Sequence, residues 1–116
     1  SHRLFGKIDY GFSIERYNWF WKSYVPDLSM RKDPLAVPLH ADLSGLPPMF
    51  LAAAGLDPLR DDTLSLSRKL EAAGVSHECR VYPGVIHGFL QFLRTVEISG
   101  KAASDAATAL RNAFSG

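Results

Sequence analysis

The sequence predicts an α/β fold with parallel strands, and three observations carry that expectation. MFLAAA, residues 49–54, is a short continuous apolar run, and such a lack of alternation fits a strand buried on both faces. HECRVY, residues 77–82, alternates instead: His77, Cys79 and Val81 take one side and Glu78, Arg80 and Tyr82 the other, as in an edge strand with one wetter face. Between them lies a helix-like segment. A strand, helix, strand connection almost always crosses over right-handed, so the two strands should run parallel as neighbours.

Taken in chain order, residues 1–24 hold eight of the chain's aromatic residues. Tyr17, Phe20, Trp21 and Tyr24 fall at i, i+3, i+4 and i+7, which is one helical face. Ser13 is placed to cap this helix and Glu15 to complement its dipole, while Pro26 stops it. Residues 25–48 carry Pro26, Pro34, Pro38, Pro47 and Pro48 with little periodicity, so a long irregular connection is expected. After the apolar strand, GLDPLRDD leads into Leu64, Leu66, Ser67, Leu70 and Ala73, spaced as an amphipathic helix that begins near Asp61 or Asp62 and ends at Gly74. Either carboxylate would serve as its N-cap. At the end of the chain, Ala102, Ala106, Leu110 and Phe114 form a stripe with Ala103 and Ala107 beside it, predicting a closing helix with a small-residue face.

Composition narrows the function classes. The 116 residues are 47% hydrophobic and 22% charged, which is ordinary for one packed domain or part of one. A formal charge of +1 gives no electrostatic reason to expect nucleic acid or an anionic membrane as partner. Cys79 is the only cysteine, so no intrachain disulfide forms, no Cys/His metal spacing exists, and a reducing, cytoplasmic setting is favoured. No apolar run approaches the length that spans a bilayer. The chain opens SHRLF with neither a methionine nor a signal-peptide pattern, and the gene product is expected to extend upstream. Neither a cofactor nor a metal is expected.

In open parallel sheets the binding crevice lies beyond the carboxyl ends of the strands. Asp57 directly follows the first strand; His87 follows the second and its Pro83-Gly84 turn. Neighbouring strands lie about 4.8 Å apart, so side chains on their exit loops come within hydrogen-bonding reach. A carboxylate accepting from one imidazole nitrogen fixes the tautomer and frees the other nitrogen to take a proton from a nucleophile. Alone, a histidine in an apolar run is more often packed than catalytic, and an Asp before a proline is a common turn former; it is the conjunction of placement and order that points to chemistry. His2, His40 and His77 have no partner motif and are read as surface or packing residues.

LPPMFLAAAGLDPLRDD, followed by LSLSRKLEAAGVSHECRVYPGVIHGFLQF, closely resembles the hormone-sensitive-lipase-like branch of the α/β-hydrolases, whose members are carboxylesterases and lipases. The resemblance is strong over residues 33–93, and its most specific elements are Asp57-Pro58-Leu59-Arg60-Asp61 and Ile86-His87-Gly88-Phe89. It implies that Asp57 is the acid and His87 the base of a Ser-Asp-His triad acting on a small acyl ester. It further implies that residues 1–45 are a cap-like helical and irregular segment, and that residues 46–116 are the C-terminal part of the hydrolase core, with the last two strands of its sheet. Trp21 and Phe89 are candidates for the substrate cavity. Neither the G-x-S-x-G elbow nor an HGGG-type oxyanion loop occurs in these residues; the nearest string, Gly11-Phe12-Ser13-Ile14-Glu15, lacks the second glycine. The nucleophile is therefore expected upstream or on another polypeptide, packed against the open flank of the first strand. Two other readings stay open. One is a noncatalytic binding protein on the same fold, as in gibberellin receptors, which lose the histidine; the other is an interaction domain that oligomerises through the open flank.

Overall fold

MFLAAA and HECRVY form the sheet. In the computed structural model, which describes residues 1–115 with the Ile8 side chain excepted, β1 (Met49–Ala54) and β2 (His77–Tyr82) pair in parallel. Their register runs from Met49 opposite His77 to Ala54 opposite Tyr82. The helices are α1 (His2–Phe5), α2 (Ile14–Tyr24), α3 (Arg60–Ala72) and α4 (Glu97–Phe114), and the connection between α2 and β1 contains only 3-10 turns, at Leu28–Lys32 and Pro38–His40. Ser13 caps α2 as expected, its hydroxyl accepting from the Arg16 amide at 3.2 Å. Gly74, at φ +70°, follows the end of α3.

Strand alternation divides the core in two. On one face Leu51 packs with Leu70 of α3, Val75 and Leu43, with Met49 and Cys79 beside them. On the other, Ala54 and Tyr82 pack with Val85, Phe89 and Ala102 of α4. Helices therefore cover both sides of the strands, as the unbroken apolar run of β1 requires. Coverage on the α4 side is partial. Ala52 is exposed, and a cleft of about 560 Å³ opens between Pro48, Phe50 and the alanine face of α4. Accordingly only the first turns of α4 are buried, at Ser99 and Ala102, while Leu110 and Phe114 at the far end of the predicted stripe are exposed.

Two local expectations are corrected. The residue at the N-cap of α3 is Leu59, and Asp61 and Asp62 lie inside its first turn, where a negative charge still complements the helix dipole. The Asp61 amide, which an N-cap side chain would satisfy, donates instead to Ser1 Oγ at 3.2 Å. The alternation of β2 also fails at its end, where Val81 is exposed and Tyr82 buried, because Tyr82 lies under α4 against Phe89.

Tyr82 and Asp105 tie α4 to the edge strand. The phenol donates to Asp105 Oδ2 at 2.9 Å, Arg80 Nη1 lies 2.8 Å from Oδ1, and Lys101 Nζ lies 2.9 Å from Oδ2. The hydrogen bond from Lys101, with those from Tyr82 and Arg80, holds the Asp105 carboxyl well below the usual range, at about 2. Burial, reinforced by the bond to Asp105, pushes the Tyr82 phenol up to about 12. The signs follow. Asp105 stabilises the fold as a carboxylate, so its contribution is complete above about pH 4 and is lost as pH falls toward 2; Tyr82 stabilises it as a neutral phenol, complete below about pH 10 and lost as pH rises through 12. Urea unfolding measured across pH should show both limbs, and Asp105→Asn should flatten the acid limb selectively. An acid limb unchanged in that variant would remove Asp105 from the account.

Candidate active site

Backbone pairing continues past the last strand residues. The Gly55 amide donates to the Tyr82 carbonyl at 2.7 Å and the Leu56 amide to the Val85 carbonyl at 2.9 Å. The two exit loops are thus held at ladder spacing, and Asp57 and His87 leave them at the same end of the sheet. Gly55 permits the approach, because a Cβ there would sit 2.9 Å from the Tyr82 carbonyl oxygen and 3.1 Å from Pro83 Cα. Beyond His87, Gly88 adopts φ +76°, a conformation that residues with a Cβ resist. It turns the chain into the 3-10 segment Phe89–Phe92. Fully buried Ser99 fastens that turn to α4, its hydroxyl donating to the Phe89 carbonyl at 2.7 Å.

Both oxygens of Asp57 are engaged. Oδ1 accepts from the Leu59 amide at 2.7 Å, closing an Asx turn around the buried Pro58. Oδ2 accepts from His87 Nδ1 at 2.8 Å. Since a carboxylate only accepts, Nδ1 carries the proton. The Asp57 side chain is 12% exposed and that of His87 42%, so the carboxylate is shielded while the imidazole faces outward. Nε2 makes no hydrogen bond among the described residues. Such a pair can accept a proton at Nε2 and stabilise the imidazolium that results.

Phe12 also touches this pair. Its ring stacks on the His87 ring with centroids 4.6 Å apart and planes at 24°. No local pattern in the sequence brings Phe12 and His87 together; the contact is purely tertiary. Trp21 lines a cleft of about 580 Å³ with Tyr17, Arg31, Leu59 and Asp62, and neither Asp57 nor His87 is among the lining residues. The Phe89 ring points the other way from the predicted cavity role: it is 6% exposed and packs in the core with Tyr82, Val85 and Ala102. His77 is satisfied within the fold, by Ser67 Oγ at 2.8 Å and the Val75 carbonyl at 3.0 Å. Among the described residues no group of three or more side chains could hold a metal ion, and no helix is long and apolar enough to cross a membrane.

A parallel strand pair with a helical crossover fits part of an α/β-hydrolase sheet, and a family profile described as alpha/beta hydrolase fold matches residues 2–91. The chain belongs to that family, in its hormone-sensitive-lipase-like carboxylesterase branch. It is 35% identical over 108 residues to an acetyl esterase of Salmonella enteritidis, covering 92% of this chain and 33% of that protein. It is 39% identical over 95 residues to the carboxylesterase NlhH of Mycobacterium tuberculosis, covering 78% and 30%. An esterase of Pyrobaculum calidifontis superposes with a TM-score of 0.92 at 31% identity, over 96% of this chain and 36% of that one. An ester hydrolase from the metagenome of Lake Arreo, solved with a bipyridine phosphonate derivative, does so with a TM-score of 0.89 at 36% identity, over 99% and 36%. The chain spans about a third of the length of these relatives.

The close approach at Gly55 can be tested directly. Gly55→Ala should destabilise the protein by about 1–3 kcal/mol, the usual cost of forcing extra volume against fixed neighbours. In its crystal structure the exit loops should be spread, with the Asp57 to His87 bond lengthened. An unperturbed loop pair at wild-type stability would show that the backbone approach does not require glycine.

Proposed function

We propose that this chain is the acid–base portion of a serine carboxylic ester hydrolase acting on small acyl esters. What supports the reading most is the 2.8 Å bond from His87 Nδ1 to Asp57 Oδ2 at the shared end of two parallel strands, in a chain whose relatives are esterases. In this reading residues 46–116 are the C-terminal part of the hydrolase core and residues 1–45 belong to a cap above it. The serine and the oxyanion donors lie in polypeptide outside these residues. The edge of β1 not paired with β2 receives the neighbouring strand of the complete sheet, since a bare strand edge of this kind is otherwise an aggregation hazard.

The chemistry runs as follows. The serine hydroxyl attacks the ester carbonyl while His87 Nε2 takes its proton, and Asp57, held by Leu59, stabilises the imidazolium. His87 then protonates the departing alkoxide, leaving an acyl-enzyme. Water attacks that ester with the proton again passing to Nε2 and back to the serine, releasing the carboxylic acid.

Two measurements test this. In the complete enzyme, Asp57→Asn should lower kcat by about 10⁴-fold, because the amide favours the wrong imidazole tautomer, and His87→Ala should cost at least as much, with unfolding transitions near wild type in both. Wild-type turnover in either variant would exclude that residue from the mechanism. The 116-residue chain by itself, lacking G-x-S-x-G, should fall short of the complete enzyme on 4-nitrophenyl acetate by on the order of 10⁶ in turnover, the cost of losing a triad nucleophile. Turnover by the purified chain at an enzyme-like rate would refute the division of labour proposed.

A further inference from the structure

We propose that Phe12 is a positioning residue for the proton-transferring base: lying flat on the His87 imidazole, it holds the ring plane in which Nδ1 meets Asp57 and Nε2 faces the nucleophile. The inference rests on the reading of His87 as the base. Asp57 is fixed by two hydrogen bonds, but His87 is fixed by one, at a single atom of a half-exposed ring. Rotation about the bond joining an imidazole to its Cβ has broad minima, so one bond to Nδ1 leaves the ring free to tilt about that contact. Such a tilt swings the Nε2 lone pair, which lies in the ring plane, out of line with the group it must serve. The ring of Phe12, 4.6 Å away and nearly parallel, removes that freedom from one face.

Phe12 can do this because it is itself positioned by its neighbours. Gly11 before it turns through φ +76° with so little room that a Cβ there would lie 3.1 Å from Ile86 Cδ1, and Ile86 is the residue preceding His87. Ser13 after it caps α2, and from within that helix Phe20 stacks on Phe12 at 6.2 Å and 19°. The segment therefore meets the His87 loop at two adjacent positions, and the aromatic face also favours the imidazolium once it forms. Seating of residues 1–24 on the core and alignment of the base become one event.

A residue that merely walls a substrate cavity predicts a different outcome, because losing uniform binding raises KM and leaves kcat unchanged. In the complete enzyme, Phe12→Leu should lower kcat roughly tenfold, as expected for sub-ångström misplacement of a reacting group, with KM little changed across acyl chain lengths. Phe12→Tyr and Phe12→Trp, which keep a ring, should restore most of the turnover. By NMR, the downfield His87 Nδ1 proton in its bond to Asp57 should be sharp in wild type and Phe12→Tyr and broadened or lost in Phe12→Leu. Should Phe12→Leu not fold, Phe12→Met, unbranched and ringless, carries the same expectation. A ringless variant with wild-type kcat, a change confined to KM, or an unaltered Nδ1 signal overturns the proposal. His87→Ala separates the two levels: if it retains full turnover the reading of the base has failed, whereas if it is inactive and Phe12→Leu is fast, only the role of Phe12 has.

Discussion

Two backbone hydrogen bonds that lie outside the regular strands, Gly55 to Tyr82 and Leu56 to Val85, set the geometry on which the site depends. Side chains on neighbouring loops are ordinarily placed by loop conformation, which is soft. Here the loops inherit the spacing of the sheet, so the distance between the carboxylate and the imidazole is fixed by backbone pairing. The requirement this imposes is local and steric. It falls on Gly55, whose missing side chain lets the second loop cross close beside it.

Around that constraint the remaining interactions hold one loop or the other. Asp57 closes its own turn through the Leu59 amide, so the acid is oriented before any partner arrives. Ser99 holds the turn after His87, and the Tyr82, Arg80 and Lys101 contacts to Asp105 hold the helix that carries Ser99. The edge strand, α4 and the His87 loop are thus linked in series. A buried hydroxyl or carboxylate deprived of its partner in such a series costs more than the bond itself is worth, which is why these polar groups, none touching the exposed edge of the imidazole, matter to its placement.

Most of the architecture was readable from period alone. The unbroken run MFLAAA, the alternating HECRVY and the helix between them required a parallel pair with a crossover, and the order of Asp57 and His87 along the chain put both at one end. What period could not convey was which neighbour wins where two structural solutions compete. Asp61 and Asp62 satisfy every composition rule for an N-cap, yet the helix starts before them, at Arg60, and the Asp61 amide is met by the hydroxyl of Ser1, far away in sequence. Phe89, next to His87 in sequence but one, turns into the core because the positive φ of Gly88 redirects the chain. Phe12 was invisible for the opposite reason: its contact with His87 joins distant parts of the chain, and no spacing rule reports on it. The aromatic face of α2 shows a related limit. Its period correctly gave the helix, but Phe20 is 47% and Tyr24 74% exposed, so periodicity identified a face without identifying what covers it.

The central claim is that His87 is the imidazole that serves the nucleophile. The most direct measurement is a crystal structure of the complete enzyme after stoichiometric inactivation by an alkyl phosphonate ester, which leaves a tetrahedral adduct on the reactive hydroxyl. The account requires the adducted serine oxygen to lie about 3 Å from His87 Nε2, within hydrogen-bond reach, with Asp57 still accepting from Nδ1. An adduct served by a different histidine, or one formed with His87 turned away from it, would contradict the account.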